Sequence, residues 1–80
     1  MNNMEKYTQV FVEMFGKSAD EVKNLHYQDI IEWDSVGHMT LMSGLEDTFD
    51  IMLETDDIID FDSYEKGIEI LKKYNVDFES

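Results

Sequence analysis

The 80-residue chain contains no cysteine, no proline and no arginine, and it has no long apolar run. Without cysteine it can form no disulfide, thiolate metal site or cysteine nucleophile. Without a stretch of about 20 apolar residues it offers no candidate transmembrane helix. Residues 1–6 are polar and lack the basic and then apolar pattern of a secretory signal. These absences predict a soluble, cytoplasmic protein.

Positive charge is scarce as well. Six lysines stand against 19 acidic residues, which gives a formal net charge of −13. No lysine or arginine lies between Lys23 and Lys66, although acidic residues are frequent there. Such a field repels phosphate backbones and anionic lipids, so we expect neither nucleic-acid binding nor membrane insertion. It favours protein partners that carry basic patches.

The hydrophobic content of 42% is enough for one modest core, which predicts a single domain over residues 1–80 and a monomer. Apolar residues recur at three- and four-residue spacing, as in amphipathic helices. Ser18, Thr55 and Ser63 are predicted helix caps. The predicted helices cover residues 4–15, 35–49, 56–60 and 64–74, with a short helical turn at 19–25. We therefore expect an all-α fold: a small four-helix bundle of three longer helices and a short third helix, with a long loop between the first two.

The second long helix should bury one apolar stripe, with Leu41 at its margin. The predicted stripe consists of Val36, Met39, Met42, Leu45 and Phe49. Gly37 and Gly44 lie inside this helix, where each glycine costs roughly 1 kcal/mol relative to alanine, and they indicate a close approach of a backbone, a ligand or a partner. In the preceding loop the apolar side chains are expected to cover the core, namely Tyr27, Ile30, Ile31 and Trp33.

The triplet Asp34-Ser35-Val36 places a hydroxyl at the start of the second long helix. Serine at a helix start is most often only a cap, and the chain contains its own control in Asp62-Ser63-Tyr64. The helix after Ser35 continues with Met39, Leu41, Met42, Leu45, Glu46-Asp47, Phe49 and Ile51, and no such series follows Ser63. Ser63 is therefore interpreted as an ordinary cap.

This series resembles the modification site and second helix of acyl carrier proteins. Asp57-Ile58 and the helix that begins at Tyr64 resemble the third and fourth helices of that family, so the resemblance spans most of the chain. It implies that Ser35 carries 4′-phosphopantetheine, attached by a phosphopantetheinyl transferase. The thiol of that arm would hold acyl groups as thioesters and present them to acyl-loading and acyl-transfer enzymes with basic patches. The protein itself would be a carrier and not an enzyme.

The resemblance also implies a surface around Ser35 that partner enzymes recognise. Its predicted members are Asp34, Val36, Met39, Glu46, Asp47, Asp56, Asp57 and Asp60. Asp34 is expected to cap the helix or to take part in recognition by the transferase.

Several alternatives remain. Gly37, His38 and Thr40 replace the early acids of fatty-acid carriers, which favours a specialised pathway such as polyketide, peptide or surface-polysaccharide synthesis. The cargo could be aminoacyl or peptidyl, or the chain could be an acidic helical adaptor that is never modified. His26 and His38 are too far apart in sequence for a short metal-ligand motif, and residues 56–62 lack the glycine and glutamate of a calcium loop, so no metal is expected.

Overall fold

The computed structural model describes residues 2–78, and over this range the fold is all-helical, as predicted. The predicted domain also includes residues 1, 79 and 80, which lie outside the described range. The helices are α1 (Asn3–Phe15), α2 (Ala19–Val22), α3 (Ser35–Phe49), α4 (Thr55–Asp60) and α5 (Tyr64–Lys72). Three longer helices, a short α4 and a long connection between α1 and α3 match the expected bundle. The predicted turn after residue 18 is present as the four-residue α2.

Short polar side chains set where the helices begin. Ser18 forms a capping box with Glu21, and the Ser63 hydroxyl accepts a hydrogen bond from the backbone N–H of Lys66 at 2.9 Å. The prediction that Thr55 is a cap is wrong by one residue. Thr55 is the first residue of α4, and the cap position belongs to Glu54, whose side chain makes no capping bond. At the other end of α1, Gly16 takes the left-handed conformation (φ 64°) that ends a helix without steric cost.

Aromatic rings from α1, from the start of α5 and from the connecting segments pack together in the core. Phe11 has its ring centroid within 5.0–6.3 Å of those of Tyr7, Trp33, Phe61 and Tyr64. The α1 and α3 helices approach each other closely at Gly44. A Cβ atom there would lie 3.0 Å from Met14 and 3.2 Å from Val10, so the close neighbours of this glycine are side chains of α1 rather than the expected backbone, ligand or partner.

The predicted inner stripe of α3 is wrong in its first turns. Val36 and Met39 are 74% and 52% exposed, whereas Leu41, placed only at the margin, is fully buried. At about 100° per residue, Val36 and Met39 point away from the face that buries Leu41, Met42 and Leu45. His38 continues that buried face in the first turn, where its ring packs on the fully buried Trp33. In the preceding loop Trp33, Tyr27 and Ile30 cover the core as expected, but Ile31 is exposed.

The short α4 is tied to α5 by a polar cluster. Asp57 accepts hydrogen bonds from Lys73 Nζ and from the Tyr74 hydroxyl, both at 2.5 Å. The same hydroxyl accepts the backbone N–H of Glu54. The loop before α3 is joined to the start of α5 by an isolated antiparallel bridge between His26 and Ser63. None of the described helices has the length and apolar character needed to cross a membrane.

Candidate attachment site

Ser35 is the first residue of α3, and the residue before it performs the capping. The Asp34 carboxylate accepts the backbone N–H of Gly37 at 2.8 Å, and the Asp34 carbonyl accepts that of His38 at 2.7 Å. Capping by Asp34 is one of the two roles expected of it. Since Asp34 occupies the cap, the Ser35 hydroxyl is not needed there. It is exposed, and no group within residues 2–78 forms a hydrogen bond with it.

The backbone around Ser35 leaves donors available beside this hydroxyl. The N–H groups of Ser35 and Val36 precede the first intrahelical hydrogen bonds, and no acceptor within residues 2–78 takes them. Unpaired amides at a helix N-terminus, with the positive end of the helix dipole, favour a bound phosphate. Gly37 belongs to the same turn. A Cβ there would collide with the backbone carbonyl of Glu32, which accounts for a glycine at this position.

Ser63 is in the opposite situation. It is buried, 8% exposed, and its hydroxyl is engaged as the cap of α5. The interpretation of Ser63 as an ordinary cap is confirmed. Two Asp-Ser pairs in one chain thus differ in which residue caps the helix, and only the pair at Ser35 leaves its hydroxyl open to solvent.

A groove between α3 and α4 begins at Ser35. Its volume is about 350 Å³, and most of the surface that lines it is apolar. It is lined by Tyr27, Ser35, His38, Met39, Ile58, Ile59, Phe61 and Asp62. A group tethered to Ser35 would therefore have an apolar surface immediately beside its point of attachment.

His38 connects three elements at the wall of this groove. Its Nδ1 accepts the indole N–H of Trp33 at 2.9 Å, and its Nε2 lies 2.8 Å from the carbonyl oxygen of Ile58 on α4. This structural role of His38 was not predicted from the sequence. The available signal was Trp33, because a buried indole N–H needs an acceptor, and His38 follows it by five residues.

The acidic residues predicted for partner recognition fall into two groups. Glu46 and Asp57 are engaged within the fold: Glu46 accepts the backbone N–H of Leu53 at 2.8 Å, and Asp57 binds the polar cluster of α5. The hydrogen bond from Lys73, followed by that from Tyr74, lowers the pKa of Asp57 below its usual value.

The second group is exposed and carries no hydrogen bond or ion pair within residues 2–78; it consists of Asp47, Asp56 and Asp60. From Ser35 to Leu45, α3 contains no carboxylate and no lysine. On α3 the exposed apolar side chains near the serine are Val36 and Met39, and the exposed Asp34 precedes it. No group of three or more His, Asp or Glu side chains within residues 2–78 is arranged to hold a metal ion.

These features define a class of protein. A small helical bundle presents one unbonded serine hydroxyl at a helix N-terminus, and no base among residues 2–78 forms a hydrogen bond with it. A serine activated for catalysis needs an adjacent base. The arrangement is that of an exposed serine at the start of a helix, with its hydroxyl unengaged within residues 2–78.

Comparison with known proteins gives the family. The chain is 40% identical to the acyl carrier protein of Streptococcus thermophilus (strain CNRZ 1066) over 53 residues, 66% of this chain and 72% of the relative. It is 36% identical to the acyl carrier protein of Streptococcus pyogenes serotype M3 over the same shares of the two chains. No family model and no solved structure matches. The chain belongs to the acyl carrier protein family, whose members are non-catalytic carriers.

Proposed function

We propose that Ser35 is the attachment point for 4′-phosphopantetheine and that the protein carries acyl intermediates as thioesters on this arm. The observation that carries the proposal is the Ser35 hydroxyl itself: exposed, without a partner, and relieved of capping by Asp34. Membership of the acyl carrier family supports the same role. The arm would also supply the thiol that this cysteine-free chain lacks.

The attachment is a phosphoryl transfer catalysed by a separate phosphopantetheinyl transferase with coenzyme A as donor. Ser35 Oγ forms a bond to the phosphorus that bears the pantetheine, and the bond between the two phosphates breaks. Adenosine 3′,5′-bisphosphate leaves, and the serine proton passes to a base of the transferase. The residues present fit the product, because the unpaired N–H groups of Ser35 and Val36 are available to the phosphodiester.

The partner surface that we propose is apolar near the arm and acidic at its edges. Val36 and Met39 are exposed beside Ser35, and the carboxylates of Asp47, Asp56 and Asp60 on α3 and α4 form no ion pair within residues 2–78. Exposed charges of this kind steer oppositely charged enzymes and mainly raise the association rate. Glu46 and Asp57 contribute mainly to the fold, because their carboxylates already bind groups of the chain.

Phosphopantetheinyl transferase and coenzyme A test this proposal in vitro. After incubation with both, the intact mass of the wild-type protein should rise by one phosphopantetheine group. Ser35→Ala should abolish the gain, and Ser63→Ala is the matched control that should retain it. An unchanged wild-type mass would favour an unmodified acidic adaptor.

We further propose that the carrier acts as a cytoplasmic monomer and as a single domain, in fatty acid, polyketide or other specialised synthesis. Loading of the modified protein by candidate pathway enzymes, with acyl and aminoacyl donors compared side by side, would identify the cargo. Efficient elongation by fatty-acid-synthesis enzymes would contradict a dedicated specialised role.

A further inference from the structure

His38 lies where the groove at Ser35 meets the aromatic core. Its ring is nearly parallel to the indole of Trp33, with an interplanar angle of 17° and centroids 6.2 Å apart. It meets the rings of Tyr27 and Phe61 edge-on at 5.4 and 6.1 Å. Trp33 is fully buried and Phe61 almost so. The imidazole therefore lies between the solvent-accessible groove and the fully buried Trp33.

Two hydrogen bonds hold this ring in a defined state. The indole nitrogen of Trp33 can only donate, so His38 Nδ1 must be the acceptor. The proton of the neutral ring then resides on Nε2, which donates to the carbonyl of Ile58. That carbonyl is among the last four of α4 and has no intrahelical partner. His38 thus accepts the buried indole N–H of Trp33 on one side and donates to the Ile58 carbonyl at the end of α4 on the other.

The same two bonds resist separation of α3 and α4. A long apolar chain that entered the core between α3 and α4 would separate His38 from Ile58. It would remove the acceptor from the Trp33 indole and the donor from the Ile58 carbonyl. Buried polar groups left without partners are costly, whereas a chain that stays in the outer groove disturbs neither bond.

We propose that His38 limits the length of acyl cargo that this carrier shelters, confining it to the outer groove between α3 and α4. This inference rests on the proposed function, because the cargo must be tethered at Ser35. The groove of about 350 Å³ has room for on the order of ten non-hydrogen atoms at roughly 30 Å³ each. That corresponds to the thioester and about eight carbons. The carrier is therefore suited to short acyl groups, and longer chains project into solvent or onto a partner enzyme.

The test measures how chain length protects the thioester. Acyl-phosphopantetheine groups from about six to about fourteen carbons are transferred to Ser35 from the matching acyl coenzymes A, and the thioester is cleaved with hydroxylamine. Each methylene that becomes sheltered shifts the partition between sheltered and exposed forms by about fourfold. In the wild type, protection should rise with length and then level off near eight to ten carbons. His38→Ala should continue to gain protection, at least about tenfold between ten and fourteen carbons.

Thr40→Ala is the matched control, because Thr40 is exposed on the same helix and does not line the groove. It should level off as the wild type does. Protection that rises through fourteen carbons in the wild type would overturn the proposal, and this comparison stands even if His38→Ala fails to fold. A folded His38→Ala protein that levels off with the wild type would overturn it as well. Failure of the proposed function is distinguishable, since it would appear earlier as a chain that accepts no arm.

Discussion

Replacing serine by alanine should affect stability differently in the two Asp-Ser pairs. Ser63→Ala removes the hydroxyl that accepts the N–H of Lys66 at 2.9 Å in a buried position, so α5 loses its cap. Loss of such a cap costs about 1 kcal/mol and up to about 2. For a domain of this size, 1 kcal/mol lowers the melting temperature by roughly 4–8 °C. Ser35→Ala removes no hydrogen bond within the described residues, and its effect on the free energy of unfolding should stay within about 0.5 kcal/mol.

Urea denaturation followed by far-UV circular dichroism provides the assay, with all proteins in the unmodified form. Asp34→Ala is a useful third variant. It removes the acceptor of the Gly37 N–H and should resemble Ser63→Ala in stability, with a loss of about 1 kcal/mol. Equal losses for Ser35→Ala and Ser63→Ala, or a larger loss at Ser35, would refute the assignment of the α3 cap to Asp34.

Three further predictions concern α4, the core and the acidic surface. The hydrogen bond from Lys73 lowers the pKa of Asp57 in the folded protein. The ionised Asp57 therefore stabilises the fold at neutral pH, and this contribution is lost as the pH falls from about 4, the pKa of an unfolded aspartate, through the lower pKa of the folded state. Urea midpoints should therefore fall less on acidification in Asp57→Asn than in the wild type; parallel curves would contradict this. Gly67→Ala should lower the free energy of unfolding by about 1–3 kcal/mol, because a Cβ there would collide with the side chains of Phe61 and Tyr7. An unchanged urea midpoint would contradict this close contact. Asp56→Asn combined with Asp60→Asn should lower kcat/KM of the transferase and weaken its salt dependence; an unchanged kcat/KM would remove both acids from the recognition surface.

Local chemistry made the helix boundaries predictable. Ser18 and Ser63 are caps because their hydroxyls reach backbone N–H groups three residues ahead, and this depends only on neighbouring residues. The same logic misplaced the start of α4 by one residue. It also could not decide whether Asp34 or Ser35 caps α3, because both side chains are suitable acceptors and only the backbone geometry selects Asp34.

Long-range packing explains what the sequence could not predict. Periodicity indicates that a helix has a buried face, but it does not decide which of several apolar residues lie on it. Val36 and Met39 recur at a helical spacing, yet the buried face of α3 runs through Leu41, Met42 and Leu45, and the polar His38 continues it in the first turn. The bond from His38 to Ile58 joins positions 20 residues apart, and no local pattern announces it. Glu46 and Asp57 likewise looked like free surface acids until the fold supplied their partners.

The most direct test of the central claim locates the modification within the chain. Trypsin is unsuitable, because no lysine or arginine separates Ser35 from Ser63. Cleavage after glutamate places the two serines in separate peptides, residues 33–46 and 55–65. After treatment with transferase and coenzyme A, peptide 33–46 should carry one phosphopantetheine, which fragmentation assigns to Ser35 and not to Thr40 or Ser43. An arm on peptide 55–65, or on neither peptide, would contradict the account.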